Sequence, residues 1–215
     1  MEVLDGIRTI QIEYADDLDT EIYLLECKSG LILVDVGFTP LCHENIQNEL
    51  DSMGAKWSDI KMIIITHAHG DHINNLAKVR SLTNAEVMIG DGDEDALEDR
   101  TGVRAELILR HEDVIGDCGN IEIIHVPGHS PGNLCLYLQK YQVIIAGDTI
   151  FGDNKDYPHI FPPPEKYTSD VDSARNNLKI LMDYDFDILL LTHGRNILKG
   201  AKKIVNEMLI REKIL

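Results

Sequence analysis

Residues 61–72 read KMIIITHAHGDH, an apolar run that leads into three histidines and an aspartate. The apolar part predicts a buried strand, and the glycine after the second histidine marks a turn into a helix. In extended backbone, residues two apart lie on the same face, so His67 and His69 can bind one ion together. Asp71 and His72 follow the turn and can be directed at a different point. Imidazole nitrogens and a carboxylate at this spacing predict a site for zinc, iron or manganese.

Three further residues of ligand type stand near the ends of apolar strands elsewhere in the chain. His129 lies in VPGHSPGN, Asp148 ends VIIAGD, and His193 ends ILLLTH. Each has an ordinary alternative, because a loop histidine is commonly incidental and an aspartate at a strand end is commonly a cap or turn former. In α/β folds, however, ligands collect at the carboxyl ends of strands. The three residues therefore join the HAHGDH motif as candidate metal ligands.

The motifs HAHGDH, GHS, GD and THG, in this order, resemble those of the metallo-β-lactamase fold superfamily of metallohydrolases. The likeness runs from the strand that ends at Asp35 to His193. It implies an α/β fold, a four-layer αββα sandwich of two mixed sheets with helices on both outer faces. It also implies two metal ions and a role for each candidate ligand. One ion would be held by His67, His69 and His129, the other by Asp71, His72 and His193, with Asp148 bridging the ions and Asp35 orienting a ligand.

The chain has 215 residues, the length of one large domain, so we predict a single domain over residues 1–215. Apolar and β-branched runs predict strands at residues 3–14, 21–27, 31–36, 61–66, 86–90, 121–126, 134–138, 142–147 and 187–191. Apolar spacing predicts helices at residues 40–53, 71–80, 171–182 and 198–215. Residues 91–100, DGDEDALEDR, are interpreted as a solvated surface segment, with a short acidic helix as the alternative. Residues 151–170 are predicted to be a long functional loop.

Net charge and cysteine content limit the classes of partner and the cellular compartment that we expect for this protein. The chain has 20 Lys and Arg against 37 Asp and Glu, a formal net charge of −17. This charge repels nucleic acid phosphates and anionic membranes, so we expect a small-molecule substrate and neither of those partners. Cys27, Cys42, Cys118 and Cys135 form no CxxC pair, and the first residues lack the apolar stretch of a signal peptide. We therefore expect reduced thiols and a cytoplasmic protein, and a homodimer is left open.

The ligand set and the resemblance together predict a dinuclear, metal-dependent hydrolase. Two cations that share a water would bring its pKa toward about 7, which supplies a bridging hydroxide for attack on a carbonyl or phosphoryl centre. Asp71 is the predicted catalytic residue, because it or Asp148 can accept or relay a proton as the intermediate collapses. We expect zinc, with iron or manganese open, since the same ligands serve all three metals.

Similarities to and differences from particular branches of the superfamily limit the class of substrate that we predict. The sequence GDTIF, which contains Asp148, is shared with the glyoxalase II type, whereas lactone hydrolases place a tyrosine where this chain has Phe151. We predict a small ester, thioester or lactone as substrate. A mononuclear iron oxidoreductase, similar to persulfide dioxygenases, and a phosphodiesterase are the alternatives.

The loop from residue 152 to residue 170 is expected to wall the metal site. Its apolar and aromatic residues suit an apolar acyl group and a neutral substrate. We predict substrate contacts for Phe151, Tyr157 and His159, with a solvated loop histidine as the alternative for His159.

Overall fold

The computed structural model describes residues 1–13, 19–38, 40–153 and 157–215. The chain divides into two compact units, Met1–Leu109 and Arg110–Leu215. Each unit has its own hydrophobic core, formed by a mixed sheet and the helices packed against it. The predicted α/β class with two mixed sheets is therefore confirmed, whereas the single domain over residues 1–215 stays a prediction.

In the first unit, the described residues form a seven-stranded sheet whose spatial order follows the order along the chain. Its strands are β1 (Glu2–Leu4), β2 (Ile7–Glu13), β3 (Asp19–Cys27), β4 (Gly30–Val34), β5 (Ile60–Ile65), β6 (Glu86–Gly90) and β7 (Leu107–Leu109). The pairs from β1 to β4 are antiparallel, and those from β4 to β7 are parallel. The carboxyl ends of β4 and β5 thus lie at one edge, where Asp35 and Thr66 follow.

The helices of the first unit cover this sheet through apolar faces. They are α1 (Pro40–Met53), α2 (Gly70–Ile73), α3 (Leu76–Leu82) and α4 (Glu94–Thr101), with a short 3-10 helix at Trp57–Asp59. α1 buries Cys42, Ile46 and Leu50, which are four residues apart and so lie on one helix face. Full burial of a leucine or isoleucine side chain contributes about 1.5–3 kcal/mol, so this face anchors the helix.

In the second unit, the strands are β8 (Val114–Ile115), β9 (Ile121–His125), β10 (Leu134–Leu138), β11 (Val143–Ile145), β12 (Phe151–Gly152), β13 (Ile160–Phe161) and β14 (Ile188–Leu190). Within the described residues, five of them form a sheet in the order β14-β11-β10-β9-β8. The β11 and β14 pair is parallel, and the other pairs are antiparallel. β12 and β13 pair separately as a small antiparallel hairpin.

The helices of the second unit are α5 (Val171–Asn177), which continues as a 3-10 helix at Leu178–Asp183, and α6 (Ala201–Arg211). Asp170 caps α5, since its carboxylate accepts a hydrogen bond from the Ser173 N–H at 3.0 Å. α6 is buried along one face, with Val205 and Met208 in the core of this unit. Short 3-10 turns lie at Gln139–Tyr141, Gly147–Thr149 and Glu165–Tyr167.

Two predicted elements of the first unit are interrupted. The helix predicted at residues 71–80 is split into α2 and α3, because the Asn75 side chain donates a hydrogen bond to the Val36 carbonyl at 3.2 Å. The Asn75 N–H donates to the Gly37 carbonyl at 3.3 Å, which holds the break against the loop after β4. The strand predicted at residues 3–14 is two strands, because the chain turns at Gly6 with φ +75°.

Other predictions differ from the structure where the elements are short. For residues 91–100 the alternative interpretation, a short acidic helix, is correct and the preferred solvated segment is wrong: most of these residues form α4, which buries Leu97 and ends before Gly102 with φ +69°. The loop predicted at residues 151–170 contains the β12–β13 hairpin, and its residues 154–156 lie outside the described residues. The strands β7 and β8 are too short to show a periodic pattern in the sequence. The final helix is shorter than residues 198–215 and covers Ala201–Arg211.

The cysteines differ from expectation. Cys42 and Cys135 are buried thiols outside any disulfide, but Cys27 and Cys118 are disulfide-bonded, so the expectation of four reduced thiols is wrong. Among the described residues, no helix is long and apolar enough to cross a membrane.

Candidate metal centre

The histidines of the first unit converge just after β5. His67 and His72 are fully buried, and His69 is half-buried. The ring centroid of His67 lies 4.6 Å from that of His69 and 4.0 Å from that of His72. The end of β5 positions the rings of His67 and His69, and the turn into α2 brings the ring of His72 beside them. The sequence motif thus becomes a compact cluster of imidazoles.

Asp35 and Thr66 hold one ring of this cluster. The buried Asp35 carboxylate accepts hydrogen bonds from the Thr66 N–H and the Thr66 hydroxyl, both at 2.8 Å. The same carboxylate lies 2.8 Å from Nδ1 of His72. Asp35 has a φ of +63°, which ends β4 and turns the residue out of the strand path. The carboxylate therefore fixes both the orientation of the His72 ring and the nitrogen that carries the proton.

The donor set of the first unit fits a divalent metal ion. When Nδ1 of His72 donates to Asp35, Nε2 is the nitrogen whose lone pair can bind a metal. An Asp71 carboxylate oxygen lies 3.8 Å from that Nε2 atom. Neutral imidazole nitrogens together with a carboxylate are the ligands of zinc, iron and manganese sites. His67, His69, Asp71 and His72 all belong to groups that could hold a metal ion.

In the second unit, a buried carboxylate lies between two histidines. One oxygen of Asp148 lies 3.2 Å from Nε2 of His129, and the other lies 3.5 Å from Nε2 of His193. Asp148 and His129 are buried, and His193 is half-buried. These three residues also belong to groups that could hold a metal ion. The two oxygens of one carboxylate thus face two different imidazoles.

Tight backbone packing positions His129. Gly128 has a φ of +138°, and a Cβ atom there would lie 2.2 Å from the Ala174 backbone nitrogen. Only glycine fits this approach. The carbonyls of Gly128 and His129 accept hydrogen bonds from the N–H groups of Asp170 and Ser169, at 2.9 and 3.0 Å. The histidine loop is therefore held against the beginning of α5.

Asp148 lies in a turn. Side chains of β10 and of the loop before β10 stabilise this turn. The Asn133 side-chain amide donates to the Thr149 hydroxyl at 2.7 Å and to the Val126 carbonyl at 3.1 Å. The Cys135 thiol lies 3.1 Å from the same hydroxyl. Asn133, Cys135 and Thr149 are buried, so the residue after Asp148 is fixed on two sides.

His193 is fixed by the hairpin that follows Asp148 in the chain. The Gly152 N–H donates to the His193 carbonyl at 2.8 Å. A Cβ on Gly194 would lie 2.5 Å from Cα of Gly152, so the two backbones touch. The Phe151 ring stacks on the His193 ring, with centroids 5.1 Å apart and planes 13° apart. Phe151 therefore contacts a candidate ligand directly.

The other predicted substrate contacts lie at the surface of the second unit. Phe161 stacks on Phe151 at 6.2 Å, and His159 lies 5.8 Å from Phe161. Tyr157 is 46% exposed, and the Arg195 guanidinium lies 4.8 Å from its ring centroid. The aromatic series therefore runs from His193 through Phe151 and Phe161 to His159.

Several residues that shape the site had not been predicted. Thr66 precedes the histidine motif, and Asn133 ends the HSPGN segment, so both stood beside recognised ligands in the sequence. Their hydrogen bonds to Asp35 and Thr149 join residues far apart in the chain, which no local pattern reveals. Arg195 follows the THG motif, and apart from this position nothing in the sequence indicated that it contributes to the site.

The chain is similar in sequence to known proteins over most of its length. The family model described as the metallo-β-lactamase superfamily matches residues 15–193. A probable metallo-hydrolase of Bacillus subtilis is 23% identical over 231 residues, which covers 90% of this chain and 85% of that protein. A hydroxyacylglutathione hydrolase of Pelagibacter ubique is 28% identical over 92 residues, which covers 43% of this chain and 37% of the relative.

Solved structures show the same fold. A metallo-β-lactamase family protein from Thermus thermophilus superposes with a TM-score of 0.76 and 20% sequence identity. The match covers 99% of this chain and 81% of the other. At this level of identity, the likeness concerns the fold, which is the predicted class of mixed sheets with helices.

Proposed function

This chain belongs to the metallo-β-lactamase superfamily and is a metal-dependent hydrolase, and we propose that it cleaves a small ester, thioester or lactone with two divalent metal ions bound. Zinc is the proposed metal, since the ligand set of imidazoles and carboxylates suits it. Bound divalent ions would lower the pKa of water and polarise the carbonyl oxygen of the substrate.

The proposed ligands are those that the sequence motifs predict. The first ion would be bound by His67, His69 and His129, the second by Asp71, His72 and His193, and both by Asp148. The position of Asp148 carries this proposal. Its two oxygens lie 3.2 Å and 3.5 Å from Nε2 of His129 and His193, which the proposal assigns to different ions. A carboxylate that faces two ligands in this way is suited to bridge two cations, whose repulsion it would offset.

Two carboxylates of the proposed ligand set differ in access to water, and this separates their roles. The Asp71 side chain is 36% exposed, whereas that of Asp148 is only 4% exposed. Because its carboxylate is accessible to water, Asp71 can accept a proton and exchange it with solvent. We assign Asp71 as the catalytic residue that moves this proton and Asp148 as a ligand.

Aromatic packing and charge support a carbonyl substrate. Phe151, Phe161 and His159 form an aromatic series that begins at His193, and such a surface suits an apolar acyl group. The net charge of −17 disfavours a polyanionic substrate. Relatives named hydroxyacylglutathione hydrolase, which the chain matches over part of their length, add support for a thioester.

The metal proposal is tested by elemental analysis of protein purified without chelator. We expect two ions per chain, and colourless protein if both are zinc. One ion per chain with no second site filled on titration would overturn the dinuclear proposal. A coloured protein with one iron would favour the oxidoreductase alternative instead.

The substrate proposal is tested with a panel of thioesters, lactones and phosphodiesters, assayed with added zinc or manganese. His67→Ala should abolish turnover and lower metal content, whereas His159→Ala should leave metal content unchanged. Cleavage of phosphodiesters alone would overturn the substrate class and leave the metal proposal standing. Full activity in both variants would overturn the site assignment.

The cytoplasmic location is also a proposal, and cell fractionation tests it. Disulfides are rare in the cytosol, so the state of Cys27 and Cys118 weighs against this location. We keep a small molecule as the proposed partner, without nucleic acid or membrane, because of the strong negative charge. Gel filtration with light scattering would decide whether the protein is a homodimer.

A further inference from the structure

One residue of the histidine motif is held by two side chains from the acidic segment at residues 91–100. The Ala68 N–H donates a hydrogen bond to the Asp93 carboxylate at 2.9 Å. The Ala68 carbonyl accepts a hydrogen bond from the Arg100 guanidinium at 2.7 Å. Ala68 stands between His67 and His69, and Asp93 is only 2% exposed. We call the three residues Asp93, Ala68 and Arg100 the Ala68 clamp.

We propose that Asp93 and Arg100 are positioning residues that set the angle between His67 and His69 for metal binding. The Ala68 N–H belongs to the peptide that joins it to His67, and its carbonyl belongs to the peptide that joins it to His69. Hydrogen bonds to both groups fix the planes of two successive peptides. Because a side chain leaves the backbone at an angle set by these planes, the clamp fixes the direction of both imidazoles.

α4 holds the two clamp residues at a fixed separation. Asp93 precedes the helix, and its carbonyl accepts the first helical hydrogen bond, from Leu97, at 3.0 Å. Arg100 lies in the last turn of the same helix. Leu97 is fully buried between them, so the helix is anchored to the core of the first unit. A short helix, held at its middle, thus carries a carboxylate at one end and a guanidinium at the other.

Two other charged residues near α4, Arg104 and Asp95, lie at the surface. Arg104 pairs with Glu98 at 3.0 Å, and the two side chains are 80% and 45% exposed. Asp95 is exposed on the same helix. A helix that only presents acidic side chains to solvent does not need a buried carboxylate that is hydrogen-bonded to the backbone of a histidine motif. Asp95 and Arg104 therefore serve as matched controls for the removal of one negative and one positive charge.

The experiment measures metal affinity rather than turnover. Metal-free full-length protein is titrated with Co²⁺ against a competing chelator, and the visible absorption of the bound cobalt is recorded. Asp93→Ala and Arg100→Ala should raise the Kd by about 10–100-fold, the usual effect of removing groups that orient ligands. The cobalt spectrum should change in both variants. Arg100→Lys should recover part of the affinity, since an ammonium group can still donate to the carbonyl.

The controls Asp95→Ala and Arg104→Ala should keep the wild-type Kd and spectrum. Equal losses in the controls and the clamp variants would overturn the proposal, because a general charge effect would then explain them. Thermal unfolding of the metal-free variants shows whether they fold. If Asp93→Ala does not fold, Arg100→Ala decides, because Arg100 lies at the surface.

This inference rests on the proposed role of His67 and His69 as metal ligands. The variant His67→Ala distinguishes a failure of the clamp proposal from a failure of that ligand assignment. If His67→Ala weakens cobalt binding while the clamp variants bind like the wild type, the clamp is not a positioning device and the ligand assignment stands. If His67→Ala binds cobalt as tightly as the wild type, the ligand assignment fails and the clamp proposal fails with it.

Discussion

Nδ1 of His72 lies 2.8 Å from the carboxylate of Asp35, although the two residues are 37 positions apart in the chain. Both side chains are buried, so the carboxylate determines which ring nitrogen carries the proton. The proton on Nδ1 leaves Nε2 able to bind a metal ion. This relationship gives Asp35 a function that a strand-terminating aspartate would not have.

Asp35→Asn should lower metal affinity by about 10–100-fold with a small effect on folding. The asparagine carbonyl can still accept from the Thr66 N–H, but its amide would face His72 and donate to Nδ1. The ring would then carry its proton on Nε2, the nitrogen needed for the metal. Cobalt titration of the metal-free variant measures the effect. Asp95→Asn, an exposed change of the same kind, is the control, and equal affinity in both variants would contradict the prediction.

Glu106 should make the first unit less stable in acid. Partial burial tends to raise the pKa of this carboxyl, but hydrogen bonds from the Val87 N–H and Arg80 outweigh burial and lower the pKa below its ordinary value of 4.5. A lowered pKa means that the unfolded chain binds the proton more readily than the folded one. The stabilisation is therefore present above pH 4.5 and is lost as the pH falls through the lower, folded-state pKa.

Glu106→Gln should consequently reduce the urea midpoint at neutral pH and change it little in strong acid. Urea unfolding of both proteins, followed across the acid range, gives the comparison. Glu98→Gln, which alters an exposed pair with Arg104, serves as the control. A constant difference between wild type and Glu106→Gln at every pH would rule out the titration of this carboxyl as the cause.

The Cys135 thiol should be unreactive in the folded protein. Burial raises its pKa from 9.0 to about 12, and a hydrogen bond with Thr149 only partly opposes this rise. Because the thiolate is the reactive form, iodoacetamide should not label Cys135 until the protein unfolds. The raised pKa also means that its stabilisation is complete below pH 9.0 and is lost as the pH rises toward about 12. Mass spectrometry of labelled native and urea-treated protein measures both states, and labelling of native Cys135 at neutral pH would refute the prediction.

The elements that the sequence predicted well are those whose pattern is local. α1 and β6 have the predicted bounds, because apolar spacing and β-branched runs within each segment determine them. The break between α2 and α3 was not predictable in this way. It depends on a hydrogen bond from Asn75 to the Val36 carbonyl, 39 residues earlier, which only the folded sheet brings into reach.

The candidate metal site also combines features that local sequence predicts with features that depend on tertiary contacts. The clustering of His67, His69 and His72 follows from their spacing around a strand end, so the sequence alone indicated a metal-binding cluster. The Ala68 clamp requires Asp93 and Arg100, which lie 25 and 32 residues further along the chain. In the sequence these two belong to a segment rich in charge, and its composition is that of a solvated surface. Tertiary packing, rather than residue type, gives the segment its contact with the motif.

Shortening the hairpin loop should alter substrate preference without loss of metal. The Gly152 N–H bonds the His193 carbonyl, so the base of β12 must be kept while residues beyond it are removed. Removal of residues 154–158 would delete Tyr157 and leave Phe151 in place. We expect a changed KM or a changed order of preferred substrates, with metal content equal to the wild type. A loss of metal would show that the loop supports His193 instead of contacting substrate.

Phe151→Tyr tests the substrate branch most directly. The Phe151 ring stacks on His193 at 5.1 Å and on Phe161 at 6.2 Å, and a tyrosine ring can keep both contacts. The variant adds the hydroxyl that lactone hydrolases of this superfamily carry at the corresponding position. We expect the variant to hydrolyse lactones faster than the wild type, through a hydrogen bond from the added hydroxyl to the carbonyl oxygen, with metal content unchanged.

Phe151→Leu is the matched variant, because it removes the ring stacking and adds no donor. Lactone and thioester hydrolysis are measured for wild type and both variants under equal metal loading. If the wild type and Phe151→Tyr both cleave thioesters and neither cleaves lactones, the hydroxyl is not what separates the two activities and the lactone branch is excluded. A gain of lactone hydrolysis in Phe151→Leu would instead show that space beside His193, rather than a hydrogen-bond donor, limits this substrate class.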